Sequence, residues 1–123
     1  MKIDLNKIVN AMTFQSEDVL SIIDTVDDNN ILTFDKKSNE LDEVYEKMDD
    51  NIYIPLPTSY EINEMSMIED FSKINNIQLN KMKNFDKIVK LNGIENEWNK
   101  FKNDRYLEIA QDFCETNDID YTV

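Results

Sequence analysis

The chain of 123 residues contains no histidine, one cysteine, one glycine and two prolines. Without histidine, the Ser/His/Asp triad, the Cys/His dyad and every zinc site that needs imidazole are excluded. The single Cys114 has no partner for an internal disulfide or a CxxC motif, which fits a reducing compartment. The single Gly93 excludes glycine-rich phosphate loops, because such loops need several residues without a side chain.

The chain nevertheless has enough apolar material to fold, with 41% hydrophobic and 32% charged residues. A chain of this length fits one domain, residues 1–123, and no linker, repeat or low-complexity tract divides it. Residues 1–7 carry charge and no apolar h-region follows them, so we expect no signal peptide. The uncharged stretches are too short to span a bilayer. We therefore predict a cytoplasmic protein without a membrane partner.

The N-terminal half predicts a small antiparallel sheet with short helices. Apolar residues at helical spacing indicate a helix over residues 4–13, and residues 38–50 indicate an acidic helix with a narrow apolar stripe. Residues 19–26 and 31–34 are rich in β-branched side chains and flank four turn formers, which predicts a β-hairpin. Residues 52–57 contain both prolines and therefore predict an edge strand.

The C-terminal half predicts three helices. Thr58 and Glu61 fit a capping box, and the helix that follows has an apolar stripe at Ile62, Met65, Ile68, Phe71 and Ile74. A second helix over residues 77–91 is expected to end at Asn92-Gly93, and a third over residues 94–117 precedes a short tail. The predicted fold class is α+β: a small N-terminal antiparallel β-hairpin or sheet with short helices, followed by a C-terminal three-helix part.

Charge is distributed unevenly along the chain. The formal net charge is −13; residues 1–72 carry 5 basic and 17 acidic groups, whereas residues 73–105 carry 8 basic and 4 acidic groups. A negative overall field repels a phosphate backbone, so nucleic acid is an unfavourable partner. The basic segment 73–105 either forms a patch for an acidic partner or phosphates, or neutralises the acidic remainder of the molecule.

Asp24 is the first of four candidate interaction residues. It lies beside Asp27, Asp28 and two asparagines, and an oxygen-rich turn of this kind can hold Ca²⁺ or Mg²⁺. The EF-hand spacing, the turn glycine and a bidentate glutamate are missing, so the alternative is an ordinary polar turn. We predict no metal ligand here.

The other three candidates are Arg105, Trp98 and Tyr60. Arg105 either clamps a carboxylate or phosphate of a partner, or pairs with a neighbour such as Glu108 or Asp112 while its stem packs on an aromatic ring. Trp98 is either a core anchor or a stacking platform for bases. Tyr60, if exposed, suits a protein interface. Cys114 has acidic neighbours and is predicted to be a small hydrophobic residue.

Five segments of the chain are similar to segments of one protein family. They are residues 22–24, 53–57 with 60–61, 67–71, 93–102 with their Trp-x-x-Phe motif, and 105–110. In these the chain resembles a family of small bacterial proteins catalogued as uncharacterised protein family one-five-eight. The chain departs from that family at residues 84–88, where an Ala-Phe-Arg-Arg-Phe segment is usual, and at Phe113-Cys114, near which a tryptophan is usual. The resemblance implies the order of elements and no catalytic residue.

These observations favour a non-enzymatic, cytoplasmic protein-binding or regulatory module that acts through its acidic N-terminal half, its helical face or both. The alternatives are a carboxylate-based metal-dependent enzyme and a phosphate or nucleic-acid binder that uses residues 73–105. We predict no catalytic residue, no cofactor and no metal, and we expect another protein as the partner. The sequence leaves the oligomeric state open.

Overall fold

The computed structural model describes residues 2–15, 18–77 and 85–123. Its elements in chain order are β1 (Ile3–Asp4), α1 (Leu5–Phe14), β2 (Val19–Asp24), β3 (Asn30–Asp35), α2 (Leu41–Asp49), β4 (Tyr53–Pro55), α3 (Ser59–Ile62), α4 (Glu64–Ile74), α5 (Phe85–Leu91), α6 (Glu95–Thr116) and β5 (Tyr121–Thr122). Strands lie mainly in the N-terminal half and helices dominate the C-terminal half. The predicted α+β class is therefore confirmed.

The three-stranded sheet has the order β3-β2-β4, and both pairings are antiparallel. The predicted hairpin is confirmed, with Val19 opposite Asp35 at its open end and Asp24 opposite Asn30 at the turn. The predicted edge strand is also confirmed, because β4 pairs only with β2 among the described strands. Proline has no backbone N–H, so Pro55 and Pro57 cannot donate hydrogen bonds to the sheet. This explains why β4 is short.

Successive residues of β2 point to opposite faces of this sheet, as strand geometry requires. Ile23 faces the main core, a cluster of seventeen buried residues that also includes side chains of α1, α4, α5 and α6. Ile22 faces the other side, where it packs with Val44 of α2 and Tyr53 of β4. We refer to these three buried residues as the α2 cluster. The sheet therefore separates a large apolar layer from a small one.

Aromatic rings form the centre of the helical part of the main core. The Trp98 ring centroid lies 4.9 Å from that of Phe85 and 5.2 Å from that of Phe71, and the Phe71 centroid lies 5.3 Å from that of Phe101. These rings belong to α4, α5 and α6. Tilted and edge-on arrangements of this kind add to the stabilisation that comes from buried area.

The capping box is confirmed: the Thr58 hydroxyl accepts a hydrogen bond from the Glu61 amide, and the Glu61 carboxylate accepts one from the Thr58 amide. The continuous helix predicted after it is wrong, because Asn63 adopts a left-handed conformation (φ 51°) and separates α3 from α4. This break changes which residues of α4 face the main core. Met67 and Phe71 are buried, whereas Met65 and Ile74 are 50% and 67% exposed.

The predicted end of the second C-terminal helix is confirmed. Gly93 has a φ of +66°, its amide donates to the Lys90 carbonyl, and the Ile94 amide donates to the Val89 carbonyl. The structure describes Phe85–Leu91 as α5. The part of the prediction that covers residues 78–84 lies outside the described residues.

The C-terminal tail predicted from the sequence is wrong as a description of residues 118–123. Tyr121 and Thr122 pair in parallel with Ile3 and Asp4 of β1. Ile119 is buried in the main core. This pairing had no local signal, because it joins segments more than a hundred residues apart.

Left-handed residues make several of the tight connections. Among the described residues, the positions with positive φ are Asp28, Asn29, Asn51, Asn63, Asn76, Gly93 and Asp118. Asparagine and aspartate tolerate this conformation better than other residues with a side chain. The chain thus builds most of these turns without glycine.

Candidate functional site

Asp24 caps the hairpin turn. Its Oδ1 accepts hydrogen bonds from the amides of Val26 (3.1 Å) and Asp27 (3.3 Å), and Asp27 Oδ2 accepts one from the Asn30 side chain at 3.1 Å. Both carboxylates therefore stabilise the turn itself, which supports the polar-turn interpretation. In residues 2–15, 18–77 and 85–123, no three Asp, Glu, Cys or His side chains are grouped to hold a metal ion.

Arg105 forms an intramolecular ion pair, as one of the two alternatives predicted. The predicted partners, Glu108 and Asp112, are wrong: the guanidinium donates to Asp70 Oδ2 of α4 at 3.0 Å. The guanidinium carbon also lies 4.9 Å from the Phe101 ring centroid, so the charged head group, and not only the predicted stem, lies against an aromatic ring. The partner lies 35 residues away along the chain, so helical spacing within α6 gave no indication of it.

Trp98 is a core anchor. Its side chain is buried among the rings of Phe71, Phe85 and Phe101. The ammonium of Lys102 lies 5.6 Å from the Trp98 ring centroid, a cation–π distance. The ring is therefore engaged within the molecule and is not displayed as a stacking platform.

Tyr106 is a buried residue whose position was not predicted from the sequence. Its hydroxyl donates to Glu64 Oε1 at 2.5 Å, and burial together with this hydrogen bond raises the pKa of Tyr106 far above its ordinary value. A signal was present in the sequence, because Tyr106, Ala110 and Cys114 recur every four residues on the buried side of α6. The bond ties α6 to the start of α4.

Cys114 is fully buried and carries the small-hydrophobe role predicted for it. Burial, with a smaller contribution from the charge of Glu115, raises the pKa of the Cys114 thiol to about 11. The thiolate, which is the reactive form, is therefore scarce at neutral pH.

Tyr60 is 91% exposed at the edge of a groove of about 1400 Å³ between α1, α3, α4 and α6. Apolar side chains such as Met12 and Ile68 line part of this groove, and Lys102 lies at its α6 side. Pockets for small molecules usually measure roughly 300–1,000 Å³ and enclose the ligand. This groove is larger than that range and is open to solvent.

The outward side of α2 carries a dense group of exposed carboxylates, which we call the acidic face: Asp42, Glu43, Glu46, Asp49 and, directly after the helix, Asp50. Tyr45 lies at the edge of this face, next to Asp42 and Asp49 by helical spacing, and is half-exposed. The one cation of this helix, Lys47, is engaged with its neighbours: its ammonium lies 3.6 Å from the Glu43 carboxylate and 3.3 Å from the Tyr53 hydroxyl. The hydrogen bond with Tyr53 is the main reason that the pKa of Lys47 is raised.

The basic segment is only partly available to a partner. Lys102 lies over Trp98 and Arg105 pairs with Asp70, so these two cations make contacts inside the molecule. Lys73, Lys87, Lys90 and Lys100 are exposed, whereas Lys81 and Lys83 lie outside the described residues. These internal contacts support the neutralising role for at least part of the segment.

No protein-family model, curated protein or solved structure matches the chain. The resemblance to uncharacterised protein family one-five-eight therefore stays a prediction. None of the helices within the described ranges is long and apolar enough to cross a membrane.

Proposed function

We propose that the chain is a non-enzymatic, cytoplasmic protein-binding or regulatory module that recognises a basic surface of another protein through the acidic face of α2. The observation that carries this proposal is the clustering of exposed carboxylates on one side of a short helix, with the half-exposed Tyr45 at the edge of the cluster. A surface of one sign of charge attracts partners of the opposite sign and accelerates their association.

The other side of α2 fixes the helix on the sheet. Val44 is buried between Ile22 and Tyr53, and Lys47 reaches the Tyr53 hydroxyl. The carboxylates are therefore presented from an ordered helix that is anchored before a partner arrives. Preorganisation of this kind reduces the entropy that binding would otherwise cost.

Tyr45 gives the acidic face an apolar contact at its edge, because helical spacing places it beside Asp42 and Asp49. Tyrosine is enriched at the centre of protein interfaces because its ring buries a large area and its hydroxyl can still form hydrogen bonds. A ring beside carboxylates suits a partner surface on which lysine or arginine side chains lie next to a small apolar depression. The same charge pattern repels phosphate groups, so we expect a protein and not a nucleic acid.

The test is a titration of the protein with a short lysine-rich peptide at about 0.15 M salt, followed by fluorescence anisotropy of the labelled peptide. The variant Asp42→Lys/Glu46→Lys/Asp49→Lys reverses the acidic face and leaves the Glu43–Lys47 pair intact. We expect it to weaken binding more than about tenfold, since each local charge pair contributes several tenths of a kcal/mol or more.

The matched control reverses three exposed carboxylates of α6, in the variant Asp104→Lys/Glu108→Lys/Asp112→Lys. This control changes the net charge by the same amount at a different surface. We expect less than about a threefold loss, because charges farther than a Debye length of roughly 8 Å are largely screened. Equal losses for the two variants would contradict a localised site. Binding of a duplex DNA probe that weakens steeply with salt would favour the nucleic-acid alternative instead.

A further inference from the structure

The two edges of the three-stranded sheet differ in how they are protected. β4 has three residues, ends at Pro55, is followed by a second proline at Pro57 and lies beside α2. β3 has six residues and contains neither proline nor charge from Asn30 to Phe34. Natural sheets usually protect an edge strand with proline, charge or a covering element. In the part of the chain that the structure describes, the central four residues of β3 have none of these protections.

The hydrogen-bond pattern shows which backbone groups of β3 face outward. The Lys36 amide donates to the Asp18 carbonyl, so the even-numbered positions of the hairpin's second strand bond to β2. The odd-numbered positions, Ile31 and Thr33, point their amides and carbonyls away from the sheet. Among the described residues, nothing forms a hydrogen bond with these outward groups.

The segments that flank β3 carry opposite charges, and the last residue of the strand itself, Asp35, is acidic. Asp27 and Asp28 precede the strand in the turn, and Lys36 and Lys37 follow it. All four are exposed. If a second copy of this strand lies antiparallel to the first, the lysines of each copy lie beside the acidic turn of the other. The edge is therefore complementary to a second copy of itself.

We propose that two copies of this chain associate through their β3 strands, antiparallel and around a two-fold axis at Leu32, to form a continuous six-stranded sheet. In this register Ile31 of each copy opposes Thr33 of the other, and these two pairs exchange four backbone hydrogen bonds. The two Leu32 side chains face each other at the closely spaced central pair. Asp27 and Asp28 of each copy lie beside Lys37 and Lys36 of the other.

This arrangement closes on itself. Within the described residues, the three-stranded sheet of each copy has one unprotected edge, since the prolines interrupt further pairing along β4. A two-fold contact that uses this edge yields a dimer and no fibre. The net charge of −13 on each chain opposes association, but charges separated by more than roughly 8 Å are largely screened at 0.15 M salt. The inference does not depend on the acidic face of α2.

Sedimentation velocity and native mass spectrometry of the whole chain at about 0.15 M ionic strength test the dimer. We expect a concentration-dependent dimer for the natural chain. Thr33→Pro removes an outward amide and no hydrogen bond of the hairpin, so it leaves the monomer folded and raises the dimer dissociation constant more than about tenfold. Thr33→Val, which keeps the amide, retains the dimer. A natural chain that stays monomeric, or a Thr33→Pro chain that still dimerises, would overturn the proposal.

A charge exchange provides a second test that does not involve proline. Asp27→Lys alone and Lys37→Asp alone each place like charges together at both ends of the two-fold contact, so each variant is expected to be predominantly monomeric. In a mixed dimer of the two variants, a lysine faces an aspartate at both ends of the contact, so in an equimolar mixture we expect mixed dimers to exceed the statistical half of all dimers in native mass spectra. Mixed dimers at only the statistical half of all dimers would exclude this register.

Discussion

The two faces of the sheet support very different amounts of apolar packing. On one face, seventeen buried residues from both ends of the chain form the main core, whereas on the other face the α2 cluster consists of Ile22, Val44 and Tyr53. The first layer contributes most of the buried apolar area and therefore most of the hydrophobic stabilisation. The second layer mainly holds α2 in place. The helix with the acidic face is thus held by few buried residues, whereas the main core is well packed.

The largest expected effect is in the main core. Trp98→Ala removes a buried ring from contact with Phe71, Phe85 and Phe101. We expect a loss of about 3–5 kcal/mol in the free energy of unfolding, measured by urea denaturation. Trp98→Phe keeps an aromatic ring and should lose less than the alanine variant. A loss below about 1 kcal/mol for Trp98→Ala would show that the main core contributes less to the free energy of unfolding than its packing indicates.

The main core should also be sensitive to alkaline pH. The thiol of an unfolded chain ionises near its ordinary pKa of 9.0, whereas burial raises the pKa of Cys114 in the folded chain to about 11. The protonated Cys114 thiol therefore makes its full contribution to the stability of the folded state below pH 9. This contribution is lost as the pH rises towards 11, and the free energy of unfolding falls by up to about 1.4 kcal/mol per pH unit. Tyr106 acts in the same direction at higher pH.

The measurement is the slope of unfolding free energy against pH between about pH 8.5 and 10. Cys114→Ala should have a shallower slope than the natural chain, whatever its absolute stability. Because the comparison is between slopes, the small cavity left by the substitution does not affect it. Identical slopes in the two chains would contradict burial as the cause of the raised pKa.

A pair of identical substitutions compares the two layers directly. Val89 lies in the main core and Val44 in the α2 cluster, and both are buried. Val89→Ala should lower the global free energy of unfolding by about 2 kcal/mol, because it leaves a cavity in a tightly packed region. Val44→Ala should cost roughly half as much and should mainly accelerate hydrogen exchange of the α2 amides. Equal global losses would show that α2 unfolds together with the main core.

The smallest effect is expected for the ion pair between Arg105 and Asp70. Both side chains are more than one third exposed, and solvent screens the attraction between them. A double-mutant cycle with Arg105→Gln and Asp70→Asn should give a coupling energy below about 1 kcal/mol. A coupling above about 2 kcal/mol would mean that this pair, and not the aromatic packing, joins α4 to α6.

Local signals in the sequence predicted the local parts of the fold. The turn formers before Ile31, the capping box at Thr58 and Asn92-Gly93 each specify a structure within a few residues. Trp98 was one of the few site residues whose role was indicated, since a large ring on an apolar stripe is usually buried. In these places the backbone and its nearest neighbours decide the outcome.

Errors arose at one left-handed residue within a helical pattern and where distant segments decide the outcome. Asn63 breaks a helix that its flanking residues would have continued, and one left-handed residue is enough to move Met65 from the predicted core to the surface. Asp70 is the partner of Arg105 because α4 and α6 pack side by side. The pairing of β1 with β5 likewise depends on the arrangement of all the elements between them.

The left-handed residues have a consequence for the unfolded chain. Of the seven positive-φ positions in the described part of the protein, six are asparagine or aspartate and one is glycine. A residue with a side chain samples fewer backbone conformations before folding than glycine does, so fixing it in a turn costs less conformational entropy. Asparagine and aspartate adopt the same conformation with modest strain. Because the chain has little glycine, its unfolded state has fewer accessible backbone conformations and a higher free energy. Part of the protein's stability therefore arises from this restriction of the unfolded chain.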